Sequence, residues 1–245
     1  IMMPSRYSSP GSVTDAGALA RSLGIRAHEA PISELHDAAE RTLDALFADM
    51  GAGETSGVTE ENVQSRLRGL ITMAVSNKTG ALLISTGNKS ELAVGYCTLY
   101  GDMNGGLAVL SDVSKARVFA LSRWINDHHA ELGFGSPPIP VSTIEKPPSA
   151  ELKPDQKDED TLPPYDVLDE IVERYVHRHQ SLERIIEETG FDTSTVAKVV
   201  RMVDLNEYKR KQLPIGLKVT SVAFGRGRRR AVVQHYRPDL RIPSA

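Results

Sequence analysis

Apolar residues at Val13, Ala16, Leu19, Ala20 and Leu23 fall three or four apart and stop at Gly24, which predicts an amphipathic helix across SVTDAGALARSLGI. IRAHEAPI then reads as a short strand. Helical spacing returns over SELHDAAERTLDALFADM, where Leu35, Ala39, Leu43, Leu46 and Phe47 share a face behind Ser33 as cap. GAGETSGVTEE reads as a flexible bridge, and EENVQSRLRGLITMAVSNKTG as another helix, ending at Gly80. Beyond it the period changes. ALLIST and LAVLSD are short unbroken apolar runs, the pattern of parallel strands buried on both faces. Each leads into a helix, one over 91–100 and one across VSKARVFALSRWINDHHAEL, while YGDMNGG between them is a turn by its Asn-Gly-Gly content. Strands alternating with helices predict right-handed βαβ units: an α/β fold, a doubly wound parallel sheet. IMMPSRYSS, at the start, reads as the end of a strand running into a Pro-Ser turn, as though the chain begins mid-domain.

The periodicity lapses over 136–164. SPPIPVSTIEKPPSAELKPDQKDEDTLPP is rich in proline and charge, with the acids Asp155, Asp158, Glu159 and Asp160 clustered, and is too long for an ordinary connector. It reads either as a flexible lid or as a disordered linker. Residues 165–212 form a helical C-terminal part, broken at Thr189-Gly190.

Composition adds bounds. The 245 residues suffice for one large domain or two small ones, and the 40% hydrophobic and 25% charged content is that of a water-soluble globular chain. A formal charge of -3 supplies no general attraction to nucleic acid or anionic lipid. The single cysteine, Cys97, excludes an internal disulfide and a Cys-rich zinc site and favours a reducing compartment. No apolar run reaches membrane-spanning length, so a cytoplasmic location is expected.

Chemistry concentrates where the two strands end. One gives Ser85, Thr86, Gly87 and Asn88, the other Ser111 and Asp112. Helix capping and turn formation account for these residue types. The lysines ask for more: Lys89 and Lys115 stand in the first turns of the two following helices, where a cation opposes the helix dipole by about 0.3–1 kcal/mol. A bound phosphate would reverse that sign. Glu91, close by, could hold a magnesium ion bridging phosphate oxygens.

At STGNKSELAVGYCTLYGD and LSDVSK the sequence resembles the synthetase domain of NAD synthetases, in particular the glutamine-dependent type. MPSRYSS, ENVQSRLRG, EKPPSAELKPDQKDEDTLPPYDVLD and NEYKRKQ extend the resemblance over nearly the whole chain, 1–245. It implies a fold of the adenine-nucleotide alpha-hydrolase type with a helical C-terminal extension. It also implies ATP-dependent amidation of nicotinic acid adenine dinucleotide through an adenylated intermediate, with Mg2+, and with ammonia from a separate glutaminase domain. By this resemblance ATP contacts fall at Thr86, Lys115 and Ser149. Substrate contacts fall at Asn62, Arg66, Glu91, Tyr96, Cys97, Thr98, Leu99 and Lys209, with Glu91 also the metal ligand. Leu99 stands where ammonia-dependent relatives have a lysine, which points to the glutamine-dependent branch. A homodimer, with the dinucleotide at the subunit interface, is implied as well.

The sequence departs from that family in one respect. The Ser-Gly-Gly-x-Asp-Ser loop that holds pyrophosphate is absent, and by the family's order it would lie just before Ile1. An N-terminally truncated synthetase domain with little or no activity of its own is the expectation. Residue types alone leave Arg66 and Arg68 open as solvated helix charges, and Tyr96 and Leu99 as core. Two other classes compete. SLERIIEETGFDTSTVAKVVRMV resembles a helix-turn-helix with Ser194, Thr195 and Lys198 toward bases, backed by the basic runs NEYKRKQ and FGRGRRR, although the acidic balance argues against nucleic acid. Another adenylating ligase, acting on a nucleobase or a tRNA, would share the sheet. Gly225 to Arg230 also fit a solvated turn or a subunit contact.

Overall fold

The structure, a computed structural model, describes residues 1–52, 57–225, 227, 228 and 230–233. Part of the expected bridge, 53–56, and Arg226 and Arg229 of the basic run lie outside the described residues.

The N-terminal helices begin and end where their sequence directs. In α1 (Pro10–Ser22) the Ser9 hydroxyl accepts from the Ser12 amide and Pro10 occupies the first turn, which needs no amide donor. Then come α2 (Ser33–Asp49) and α3 (Val58–Thr79). The last is opened by the Glu60 carboxylate on the Gly57 amide and closed by left-handed Gly80.

The sheet is parallel and short: β1 (Ile84–Ser85), β2 (Leu107–Ala108) and β3 (Ile215–Gly216), in that spatial order, with Ile84 opposite Leu107 and Leu107 opposite Ile215. The third strand is not legible from the pattern. It sits where only glycine fits, because a Cβ at Gly216 would lie 2.2 Å from Ser111 Oγ. The strand expected at IRAHEAPI reduces to one parallel bridge, Met2 with Glu29. Burial on both faces is not observed either, since Leu82 is 63% and Ile84 50% exposed.

Between β1 and β2 runs α4 (Lys89–Val94), shorter than the helix expected over 91–100. Asn88 and Glu91 form a reciprocal capping box, and Gly95 ends the helix at φ 72°. A side chain there would also strike Asn206, 2.1 Å away, so backbone angle and close packing both require glycine. After β2, α5 (Lys115–Asp127) is capped by Ser114, not by Asp112 as expected. The segment over 136–164 contains α6 (Val141–Glu145) and a short 3-10 turn, Asp158–Asp160.

The main core lies among the C-terminal helices. It joins α4 to α7 (Tyr165–Val172), its π-helical continuation Glu173–His177, α8 (Leu182–Thr189) and α9 (Thr193–Leu205). Val94, Leu168, Ile171, Val176, Ile185, Val196, Val199, Val200 and Val203 are each at most 1% exposed. The short α10 (Glu207–Arg210) closes this body. From it the buried Arg210 donates to the Leu92 and Ala93 carbonyls and to Glu207, satisfying the C-terminal end of α4.

Candidate functional site

A cavity of about 950 Å³ opens between α1, α3, the turn after α4, the segment 146–161 and the α9–α10 corner. It draws charged and polar side chains from stretches far apart in sequence, the usual make-up of a small-molecule site. Asn62, Glu91, Tyr96, Cys97, Thr98, Lys115, Ser149 and Lys209 all line it. Thr86, Arg66 and Leu99 do not. Thr86 is exposed beyond β1. Arg66 is exposed on α3, with its Nε donating to the Leu99 carbonyl at 3.2 Å. Leu99 lines a smaller hollow of about 220 Å³ with Tyr100, Met103 and Pro214. Lys115 and Thr86, expected to share a pocket, are therefore not brought together.

The expectation of two lysines facing one anion is corrected. Lys89 is 3% exposed and turns away from the cavity, donating to Asp112 Oδ1 at 2.5 Å, to the Thr220 hydroxyl at 2.8 Å and to the Val222 carbonyl at 2.7 Å. Asp112 in turn accepts from the Val219 and Thr220 amides. The pair thus fastens the chain after β3 to the two strand-helix turns. Nor are the helix starts open to a ligand. At α5 the Lys115 amide donates to Ser90 Oγ and the Ala116 amide to the Asp169 carboxylate, which already supplies the negative charge that this helix end favours. At α4 the capping box fills the same role.

Lys115 alone of the two reaches the cavity. Its Nζ lies 2.8 Å from Glu91 Oε1 and 5.2 Å from the centre of the Tyr165 ring. Glu91 Oε2 accepts the Asn88 amide, so both carboxylate oxygens are engaged. Among the described residues no three acidic, histidine or cysteine side chains cluster as a metal cage. A magnesium ion that keeps most of its waters needs only one carboxylate, and Glu91 lines the cavity as such a carboxylate.

The far wall is built on α3 and the turn after α4. Asn62 Oδ1 accepts from the Thr98 hydroxyl at 2.8 Å, and the Thr98 amide donates to Asp102 Oδ1 at 2.6 Å. Ser65 Oγ donates its hydroxyl to Asp102 Oδ1 at 3.4 Å and accepts the Asp102 amide at 3.2 Å. A Cβ at Gly69 would come within 2.5 Å of the Tyr100 carbonyl, so α3 seats directly against this turn and its rotation is fixed. Lys209 donates to the Gly95 and Cys97 carbonyls, both at 2.7 Å, and so holds the turn while lining the cavity. Burial, with the nearby Asp102 charge, pushes the Cys97 thiol up to about 12, which disfavours the thiolate form that a nucleophile needs. Burial likewise raises the Asp102 carboxyl, partly offset by the Thr98 amide.

Sequence reasoning passes over several residues of this wall. Its pattern marks Asp102 only as part of a turn and leaves Arg68 open as a solvated charge. Asp158, one of the disorder-like acids, is 3% exposed and accepts from the Tyr165 hydroxyl at 2.7 Å. The segment 146–161 is packed down: Lys146 and Glu151 pair with each other and with the Ser9 and Ser12 hydroxyls, and Lys153 lies 3.6 Å from Glu61. In the sequence only the run of prolines and charges marks it.

The helix-turn-helix residues are occupied within the chain. Ser194 and Thr195 bond to Asp192, and Lys198 donates to the Thr161 carbonyl at 2.6 Å. Arg228 is buried against Asp204 rather than forming a solvated turn.

A profile of the NAD synthase family matches residues 1–213. The glutamine-dependent NAD(+) synthetase of Synechocystis sp. is 51% identical over 239 residues, which are 98% of this chain and 41% of that protein. Among solved structures, the glutamine-dependent NAD+ synthetase from Acinetobacter baumannii in complex with adenosine diphosphate matches at 43% identity with a TM-score of 0.55, over 94% of this chain and 39% of that one. The glutamine-dependent NAD(+) synthetase from Cytophaga hutchinsonii matches at 25% identity with a TM-score of 0.69, over 87% of this chain and 34% of that one. The chain spans about two fifths of the length of the curated relatives it matches. No helix among the described residues is long and apolar enough to cross a membrane.

Proposed function

The chain belongs to the NAD synthase family, and from that premise we propose that its cavity carries out the ATP-dependent amidation of nicotinic acid adenine dinucleotide to NAD. The observation that carries the reading is the gathering of Asn62, Glu91, Tyr96, Cys97, Thr98, Lys115, Ser149 and Lys209 into one 950 Å³ space. The Acinetobacter baumannii synthetase, a complex with adenosine diphosphate, supports a nucleotide ligand.

The chemistry follows from the inertness of a carboxylate. A nicotinate oxygen attacks the α-phosphorus of ATP, the bond to pyrophosphate breaks, and a mixed anhydride with AMP forms. Ammonia then adds to the activated carbonyl, AMP departs with the bonding electrons, and one proton is released. Such a sequence needs positioning and charge neutralisation more than side-chain proton transfer. Lys115 would move from Glu91 to the phosphates, and Ser149 would contact the nucleotide from the segment above. Asn62, Tyr96 to Thr98 and Lys209 would hold the dinucleotide. Glu91 would hold a magnesium ion, and the chemistry it would supply is neutralisation of charge on the leaving pyrophosphate. Thr86, Arg66 and Leu99 stay outside this assignment. Ammonia would come from a glutamine-hydrolysing part, as the glutamine dependence of the relatives suggests.

Enzyme in excess over the dinucleotide, with ATP, magnesium and ammonium, makes even slow turnover visible. The reading predicts NAD and AMP in equal amounts. ADP and phosphate in place of AMP would refute adenylation, and failure of the chain to bind either ATP or the acid dinucleotide by calorimetry would refute the assignment to this chain.

A further inference from the structure

Of the cavity's cations, Lys115, Lys146 and Lys153 each have a carboxylate within 4 Å, and Lys209 is held by two carbonyls. Arg68 is different. Its Nε donates to the Met3 carbonyl at 3.1 Å, which sets the plane of the guanidinium, and among the described residues it has no carboxylate partner. It is half-buried and lines the cavity, so its charge is partly stripped of water, with Glu151 of the same cavity attracting it but not in contact. A cation in that position recovers only part of its lost hydration from the protein, and an arriving anion restores the balance.

We propose that Arg68 binds a pair of anionic substrate oxygens, phosphate or carboxylate, through its two terminal nitrogens. The inference rests on the ligase reading above and adds a residue to it. Helix geometry favours Arg68 over Arg66. At about 100° per residue, Glu61, Ser65 and Arg68 fall on one stripe of α3, and Arg66 lies about 160° round from Arg68. The first three line the cavity, whereas Arg66 is exposed outside it. Close seating of Gly69 on the Tyr100 carbonyl prevents α3 from rolling to exchange the two. The planar fork of arginine, already oriented at Nε, suits bidentate contact with a phosphate or carboxylate, which a lysine ammonium does not reproduce.

Two sources could supply the oxygens, ATP and the acid dinucleotide, and titration separates them. Calorimetry of each ligand into wild type, Arg68→Gln and Arg68→Lys is the test, with thermal midpoints as a fold control. Arg68→Gln is expected to weaken one of the two ligands by about 10- to 100-fold and to flatten its salt dependence, with Arg68→Lys intermediate. The ligand affected identifies the source. Affinities for both ligands equal to wild type in Arg68→Gln overturn the inference while leaving the ligase reading intact. A wild type that binds neither overturns both. Should Arg68→Gln fail to fold, Arg68→Lys decides, and unchanged affinity there overturns the proposal.

Discussion

Replacing Asp112 by asparagine tests whether Lys89 is a structural latch rather than a phosphate receiver. The substitution keeps the shape and most hydrogen bonds of the side chain but removes its charge. Lys89, 3% exposed, would then be an ammonium without a counter-ion. Leaving one partner of a buried pair costs about 3–5 kcal/mol. For a chain of this size each kcal/mol moves the melting midpoint by about 2–4 °C, so a fall of about 6–20 °C is expected by thermal unfolding followed through tyrosine fluorescence. The double variant Lys89→Met with Asp112→Asn should recover part of that loss, because it removes the stranded charge. Acid supplies an independent reading. Burial pushes the Asp112 carboxyl up, but the bonds from Lys89 and from the Thr220 and Val219 amides outweigh it and hold it below its ordinary value. A carboxyl depressed in the folded state contributes fully above its unfolded value, about 3.9, and loses that contribution as pH falls through the folded one. The advantage of wild type over Asp112→Asn should therefore be constant from pH 7 to 5 and close below about pH 4. A midpoint for Asp112→Asn within about 2 °C of wild type would refute the latch.

Lys115→Met should weaken ATP by about 10- to 100-fold, the loss of one charge-assisted contact, and a change under about twofold by titration would contradict its role. Cys97 should react with iodoacetamide at pH 8 at least about a hundredfold more slowly than a free thiol and become reactive in urea; mass spectrometry reads both states, and a rate like that of a free thiol would remove the burial argument. His36 is 1% exposed, and burial lowers its imidazole despite Glu40 Oε1 at 3.3 Å, so folding favours its neutral form. Stability should be flat above about pH 7 and decline below about 6.5 as the unfolded state takes up the proton, and His36→Gln should remove its share of that slope while His177, lowered by burial in the same way, keeps the rest.

Local signals are the most legible in the sequence. Gly80 and Gly190 are read as a helix end and a helix break, and helices stop at them, whereas Ser9-Pro10 and the Asn88–Glu91 box are short-range signals that the apolar spacing passes over. The strands are less legible, because a run such as ALLIST specifies apolar character but not how many residues find a partner. Only Ile84 and Ser85 pair, and β3 depends on Gly216 passing Ser111, a contact between residues far apart in the chain. The site divides the same way. Asn62, Tyr96 to Thr98 and Lys209 follow from the family resemblance and meet in the cavity. The dipole argument for Lys89 fails because its partners, Asp112 and Thr220, are tertiary neighbours that no helix-start rule contains. Arg68 and Arg66 are indistinguishable by residue type, and only the seating of α3 separates them.

The central claim is that one cavity receives both substrates with Lys115 exchanging Glu91 for phosphate. A crystal structure of the chain with the acid dinucleotide and a non-hydrolysable ATP analogue tests it most directly. The account predicts both ligands in the space between α3, α4 and α10, a phosphate oxygen within about 3 Å of Lys115 Nζ, and the Lys115–Glu91 pair broken. Ligands bound elsewhere, or an intact Lys115–Glu91 pair beside a bound triphosphate, would contradict it.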